Sequence, residues 1–285
     1  MLQHSFAFDA IGTPWRIETD EEIDQPLRQR ILDRVEAFDK TYSRFRSDSL
    51  VASIANKAGS YKFPNDAVVL FDFYKKLYDI TGGKVTPLVG DMVANAGYDA
   101  NYSFTPKSQT EIAAWEDVLR IEAATITNSK PVTLDFGAAG KGYLVDLIAV
   151  ILNEHSIHNY VVDASGDLRH KGSFENKVGL ENPLDTTKVI GVVDVQNKSL
   201  CASASNRRAW GNGMHHIFDP ETKAPVRGVI ATWVIAVDAM VADGLATALF
   251  LSEPNELKSI ANFEYVRMFK DGGVEYSPYF ADALF

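Results

Sequence analysis

Three short segments of this 285-residue chain gather side chains that can do chemistry. The first is Asp135-Phe136-Gly137-Ala138-Ala139-Gly140-Lys141-Gly142-Tyr143, a run of small residues between a strand-like and a helix-like stretch. Small residues let a ligand approach the backbone, a helix start offers free N–H groups to phosphate, and Lys141 adds a positive charge. The spacing is neither a Walker A loop nor G-x-G-x-x-G, and a tight strand-to-helix turn with an exposed lysine has the same pattern. The second is Val241-Ala242-Asp243-Gly244-Leu245-Ala246-Thr247-Ala248. Asp243 and Thr247 are four apart, so they share one helix face near its N-terminus. A carboxylate, a hydroxyl and nearby carbonyls make hard-oxygen ligation, suited to Mg²⁺ rather than Zn²⁺. The alternative is an aspartate that caps the helix or sits in its first turn. The third is His215-His216-Ile217-Phe218-Asp219-Pro220. Histidine carries protons near neutral pH, and a carboxylate three residues on can orient it; a surface turn would look alike. Ser165-Gly166-Asp167 reads as a strand-ending turn, and Ser203 lacks the G-x-S-x-G elbow of a serine hydrolase.

The elements that must hold these groups follow from periodicity. Ile23, Leu27, Ile31, Val35 and Phe38 predict an amphipathic helix with a cap at Thr19 or Asp20. A second helix is expected over 66–81, ended by Gly82-Gly83, and a third over 109–119. Strands are expected at 125–128 and 132–135 around the turn Asn128-Ser129-Lys130-Pro131, then a helix over 143–154. Further strands are expected at 160–163, near Val178, at 189–195 and at 229–237, then a helix over 242–251 and a hairpin turning at Asp271-Gly272-Gly273. Strands and helices mix without a βαβ rhythm, which predicts an α+β fold in one compact unit.

Composition narrows the partners. With 46% hydrophobic and 23% charged residues the chain is ordinary globular material with a sizeable core. A formal net charge of −10 without a basic run argues against nucleic acid, and means that an anionic ligand needs local cations or a bound metal. Cys201 is the single cysteine, which rules out an internal disulfide and a multi-thiolate metal site. The N-terminal residues lack the basic and apolar regions of a signal peptide, and no run approaches the roughly 20 apolar residues of a spanning helix. The expectation is a soluble, cytoplasmic protein, or a membrane-associated one outside the cytoplasm if a leader was trimmed.

Taken in order, these segments resemble the FAD:protein FMN transferase family, the ApbE-type flavin transferases once labelled thiamine biosynthesis lipoproteins. Ile11-Gly12-Thr13 resembles the family's opening Met-Gly-Thr, and Ser43-Arg44-Phe45-Arg46 with Asp48-Ser49 and Asn56 its following Ser-rich stretch. Gly82 to Pro87 sits where the family has a Gly-rich Phe-Asp-Pro-Thr segment. Asp135 to Tyr143 is similar to its D-[LF]-G-G-[IA]-[AG]-K-G-[YW] motif, Ser165-Gly166-Asp167 to Gly-Gly-Asp, and Glu181-Asn182-Pro183 to an acidic-Pro turn. His216 to Pro220 resembles His-Ile-[IF]-Asp-Pro, and Ala242 to Ala248 resembles A-D-[AG]-L-[AS]-T-A.

The resemblance implies one flavin transferase domain over 1–285, of mixed α/β, T-fold-like type. It implies a Mg²⁺-dependent enzyme that moves the FMN part of FAD to a Ser/Thr hydroxyl of an acceptor flavoprotein and releases AMP. By position, Asp135 and Lys141 would contact FAD, Ile11 would pack on a ring, Phe45 would lie against the flavin or adenine side, and Ile217 would line the pocket. The Ala138 carbonyl, Asp243 and Thr247, with Ala246 contributing, would hold Mg²⁺, while His216 and Asp219 would sit by the transferred phosphate and take the hydroxyl proton. Departures from the pattern are Ile11, Thr86, Leu88, Ala202-Ser203-Ala204 and Thr222-Lys223-Ala224, none of them at the implied metal ligands. A Mg²⁺-dependent FAD pyrophosphatase and a non-catalytic FAD-binding or delivery protein remain as rivals.

Overall fold

Successive strand residues point to opposite faces of a sheet, and here both faces are buried. Along Ser199–Ala204 and Val229–Ala236, Cys201 and Val234 enter the core that carries the helices, while Leu200, Trp233 and Ile235 enter a second core with Leu168, Val266 and Phe280. The computed structural model that shows this describes residues 2–285 apart from Thr110 and Asn212. Its main sheet has eight strands: His4–Ala10, Thr13–Thr19, Tyr160–Asp163, Asp167–Lys171, Ser199–Ala204, Val229–Ala236, Glu264–Phe269 and Val274–Tyr276. They lie side by side in chain order, and every neighbouring pair is antiparallel. The antiparallel pair Lys177–Glu181 and Val189–Asp194 covers the second core with Leu180 and Val193. The mixture of helix and antiparallel sheet is the expected α+β class.

The helices cover the first core. Gln25–Tyr42 buries Leu27, Ile31, Val35, Phe38 and Tyr42 at the expected spacing. Its cap is Asp24, whose carboxylate accepts from the Leu27 N–H at 2.9 Å; Thr19, expected as a cap, is the last residue of a strand. The helix Ala67–Ile80 forms as expected. Gly140–Glu154 and Ala239–Ala248 each begin three residues earlier than expected, so Asp243 sits in the second turn of its helix. These two helices cross closely at Gly142. A Cβ there would lie 2.2 Å from the Ala239 carbonyl oxygen and 2.8 Å from the Asp243 Cβ, so only glycine allows the contact.

Two further expectations fail. The helix placed over 109–119 is one turn, Trp115–Val118, because Ala114 is extended and Leu119 already enters the strand Leu119–Glu122; Thr110 lies outside the described residues. Among the described residues the stretch 132–135 pairs with no strand, and the Asp135 N–H donates instead to the Pro87 carbonyl at 2.7 Å. Among the described residues no helix is long and apolar enough to cross a membrane.

Candidate active site

Loops from one end of this framework enclose a cavity of about 990 Å³. The first hairpin contributes Ile11 and Gly12, the end of the first helix Ser43 to Arg46, and the 135–141 segment its small residues and Lys141. Opposite them lie the turn 165–167, the segment 206–210, His216 to Phe218, and Asp243 with Thr247. The three chemistry-bearing segments, spread over residues 135–248, therefore contribute to one space.

Asp243 is 4% exposed, and its Oδ2 accepts from the Gly142 N–H at 2.9 Å. One helical turn on, the Thr247 hydroxyl lies 3.4 Å from the Ala138 carbonyl, to which it donates. Burial pushes the Asp243 pKa well up and the neighbouring Asp167 carboxylate pushes it further, against Lys141, the Gly142 N–H and Arg208. Asp167 is fully buried, with Oδ2 3.1 Å from Lys141 Nζ. Two buried carboxylates thus face one ammonium, an excess of negative charge that suits an added cation. Carboxylate, hydroxyl and carbonyl are the hard oxygen donors that Mg²⁺ takes, so Asp243, Thr247 and Ala138 fit that metal. Ala246 does not join them: it is fully buried away from the cavity, and its carbonyl accepts from the Thr232 hydroxyl at 2.7 Å.

Lys141 lines the cavity but is already engaged. It faces Asp167 and donates to the carbonyls of Ala164 at 3.1 Å and Ser165 at 3.4 Å. Burial works to lower its pKa, and the Asp167 and Asp243 carboxylates outweigh it, so the pKa is raised and the side chain is charged. Four of the N–H groups expected to be free at this helix start are also taken. Gly137 donates to Asp135 Oδ1, Ala139 to the Tyr74 hydroxyl, Gly140 to the Phe136 carbonyl and Gly142 to Asp243. Small residues here serve the crossing of two helices more than a phosphate cradle.

Asp135 likewise has protein partners. Arg44 Nε donates to its Oδ2 at 2.5 Å, and the Arg44 side chain is 4% exposed. Burial alone would raise the Asp135 pKa; Arg44 and the Gly137 N–H reverse that and hold it below its ordinary value. Arg44 was one letter in a loose motif, and its pairing across 91 positions carried no local signal.

The adjacent histidines divide their roles. His215 is spent on structure: Nε2 donates to the Val226 carbonyl at 2.7 Å and Nδ1 accepts from the Ile217 N–H at 3.3 Å. His216 lines the cavity, and its Nδ1 has no partner among the described residues. Burial among the cavity walls, with Arg208 and His215 adding to it, pushes its pKa down to about 3, so the ring is neutral at pH 7. Asp219 does not orient it. That carboxylate lies outside the cavity lining and accepts from the Glu221 N–H at 2.9 Å, closing the turn between Phe218–Asp219 and Ala224–Pro225. Ile217 is buried and lines the cavity, as do Ile11 and Phe45.

Arg208 had no sequence expectation. It lines the cavity, its charge bears on Asp135, His216 and Asp243, and it has no salt-bridge partner among the described residues, whereas Arg207 beside it pairs with Glu181. Its only local signal is a pair of arginines in an acidic chain.

The profile of the ApbE family matches residues 11–269 of this chain. A FAD:protein FMN transferase of Klebsiella pneumoniae (strain 342) is 25% identical over 276 residues, covering 88% of this chain and 79% of that one. The FAD:protein FMN transferase of Escherichia coli (strain K12) is 23% identical over 279 residues, covering 89% and 80%. Among solved structures, the ApbE protein from Thermotoga maritima superposes with a TM-score of 0.84 at 23% identity over 97% of both chains. The flavin transferase ApbE from Vibrio cholerae gives 0.80 at 22% identity over 99% of both. At these identities the superpositions establish the fold.

Proposed function

The chain belongs to the ApbE family, and from that premise we propose that it transfers the FMN part of FAD to a serine or threonine hydroxyl of an acceptor flavoprotein, releasing AMP, with residues 1–285 acting as one domain. Its relatives are named FAD:protein FMN transferase, which supports the transfer itself. One observation carries the function: Asp243, Thr247 and Ala138 border the same cavity as a neutral histidine whose Nδ1 is unpartnered.

Asp243, Thr247 and the Ala138 carbonyl would hold Mg²⁺. The metal would supply the positive charge that a pyrophosphate needs in a protein of net charge −10. The remaining work falls to the chain. Arg208, without an ion-pair partner among the described residues, is available to the phosphates. Lys141 fixes the 164–167 turn through Asp167 and two carbonyls. The acceptor oxygen bonds to the FMN phosphorus, the bond from that phosphorus to the bridging oxygen breaks, and AMP leaves with that oxygen. The hydroxyl proton passes to His216, a step worth roughly 10²–10⁴-fold in such reactions. The rest of the acceleration is positioning and charge neutralisation.

The test is incubation with FAD, Mg²⁺ and a flavoprotein bearing a flavinylation site, read by intact mass and AMP release. A covalent FMN adduct matched by AMP is expected. AMP and free FMN without adduct would make water the nucleophile, and FAD binding without AMP would leave a carrier.

A further inference from the structure

At one end of the cavity stand aromatic side chains that the reaction chemistry does not use. Phe45 and Tyr102 lie parallel, 5.5 Å between centroids and 5° apart, and Tyr98 stacks on Trp210 at 5.6 Å and 16°. Tyr98 stands edge-on to both Phe45 and Tyr102, and Phe104 lies 5.9 Å from Trp210. The Arg44 guanidinium sits 4.1 Å from the Phe45 centroid, and its Nη2 is a buried donor without a partner among the described residues. Two of these rings are anomalous. Tyr102 and Phe104 are 48% and 47% exposed, although large apolar groups are usually covered.

The backbone is strained to hold them there. Tyr102 and Phe104 have φ of +50° and +49°, where side-chain-bearing residues are uncommon. Asp99 braces the bend by accepting from the N–H groups of Asn101 and Ser103, each at 3.0 Å, and from the Ser103 hydroxyl at 2.7 Å. The Phe104 N–H closes back on the Gly97 carbonyl at 2.8 Å, and a Cβ on Gly97 would come within 2.8 Å of the Phe104 backbone. Strain of this kind persists where surrounding structure holds it and clusters at ligand clamps. Here it holds two aromatic side chains in the lining of the cavity.

We infer that Tyr102 and Phe104 are specificity-determining walls of a seat for a flat heteroaromatic ring of the substrate. The ring stacks on them and offers an acceptor on its edge to the orphan Nη2 of Arg44. This rests on FAD being the substrate. Both of its ring systems are flat and carry edge acceptors, so the shared chemistry is the assignment and the ligand halves identify the source.

The test is a set of binding titrations by calorimetry, without acceptor protein, on wild type, Tyr102→Ala, Phe104→Ala and the double variant, using FAD, FMN and ADP. The Kd for FAD should rise roughly 5- to 100-fold, the range of base–aromatic stacking losses. The same loss should appear for one half-ligand only, FMN if the flavin ring is seated and ADP if adenine is. Tyr102→Phe and Phe104→Tyr should bind as wild type does, while Tyr102→Leu, which keeps apolar bulk without a ring, should fail as the alanine does. An unchanged Kd for FAD in the double variant overturns the inference, as does an equal loss for FMN and ADP in folded protein. Wild type that binds no FAD sinks the proposed function itself, which separates the two failures.

Discussion

The backbone N–H of Gly142 donates to the carboxylate of Asp243 at 2.9 Å, at the point where two helices cross too closely for any other residue. The carboxylate proposed as a metal ligand is therefore positioned by the helix that begins with the Gly140-Lys141-Gly142 motif. Packing and ligation share one contact.

Gly142→Ala should consequently be costly in two ways. The new methyl meets the Ala239 carbonyl, which is helix backbone and cannot rotate away. Overpacking of this kind costs about 1–3 kcal/mol, and the helices must part, moving Asp243. A lowered thermal midpoint with weakened Mg²⁺-dependent FAD binding is expected. A variant as stable and as active as wild type would show that the crossing is looser than described.

Asp243→Ala should abolish FMN transfer and weaken FAD binding in the presence of Mg²⁺, since the pyrophosphate charge is left uncompensated. Thr247→Ala should do less, because a neutral hydroxyl contributes less field than a carboxylate. Titration calorimetry with Mg²⁺ and FAD, alongside AMP release, separates binding from turnover. Full wild-type turnover in excess EDTA would contradict this assignment.

His216→Ala should lower kcat by roughly 10²–10⁴-fold with little change in FAD affinity, because a general base acts only as the hydroxyl attacks. Asp219→Ala should change turnover little, since that carboxylate closes a turn. The depressed pKa of His216 also sets a stability trend. The unfolded histidine takes a proton near its ordinary value of 6.5, while the folded one resists until about 3. Stability from this group is thus full above pH 6.5 and is lost as pH falls toward 3. Acid unfolding of His216→Ala should lack that component. Equal pH dependence in both proteins would mean that His216 titrates normally.

Lys141→Ala leaves Asp167 buried without its cation. Breaking a buried pair from one side costs about 3–5 kcal/mol, whereas replacing both partners is far milder. Lys141→Met with Asp167→Asn should therefore recover much of the lost stability in chemical denaturation. If the losses simply add, the pair is not a unit. Apparent KM for FAD should rise with Lys141→Ala through movement of the 164–167 turn, more than kcat falls.

Much of this was legible from spacing. Leu27, Ile31, Val35 and Phe38 announce their helix because burial on one side repeats every turn, and the four-residue interval of Asp243 and Thr247 puts both on the cavity. The first hairpin gave no signal although Phe6 and Phe8 alternate across from Trp15 and Ile17. Its turn is Ile11-Gly12, with Ile11 at φ +44°, a place that turn chemistry usually gives to asparagine or glycine. Helix starts were misplaced where no local side chain caps them: Ala139 has none to offer, and the Ala239 and Met240 N–H groups donate to Asp146 from a distant segment. Arg44 was silent because its partner Asp135 comes from a distant segment, and Arg208 because the groups its charge bears on, Asp135 and Asp243, do too.

The ordering of the main sheet has a consequence for how the molecule assembles. Because its strands are neighbours in chain order, each strand synthesised can dock on the edge left by the last. One step is different: residues 20–159 separate Thr19 from its partner strand at Tyr160. Closing that span as unstructured chain costs about 1.5 kcal/mol more than closing residues 172–198 between the next distant pair. Asp135 and Lys141 lie inside the span, while Asp167, His216 and Asp243 lie beyond it. Ligand-binding competence therefore cannot precede the closing of that span, and its first appearance on refolding reports that closure.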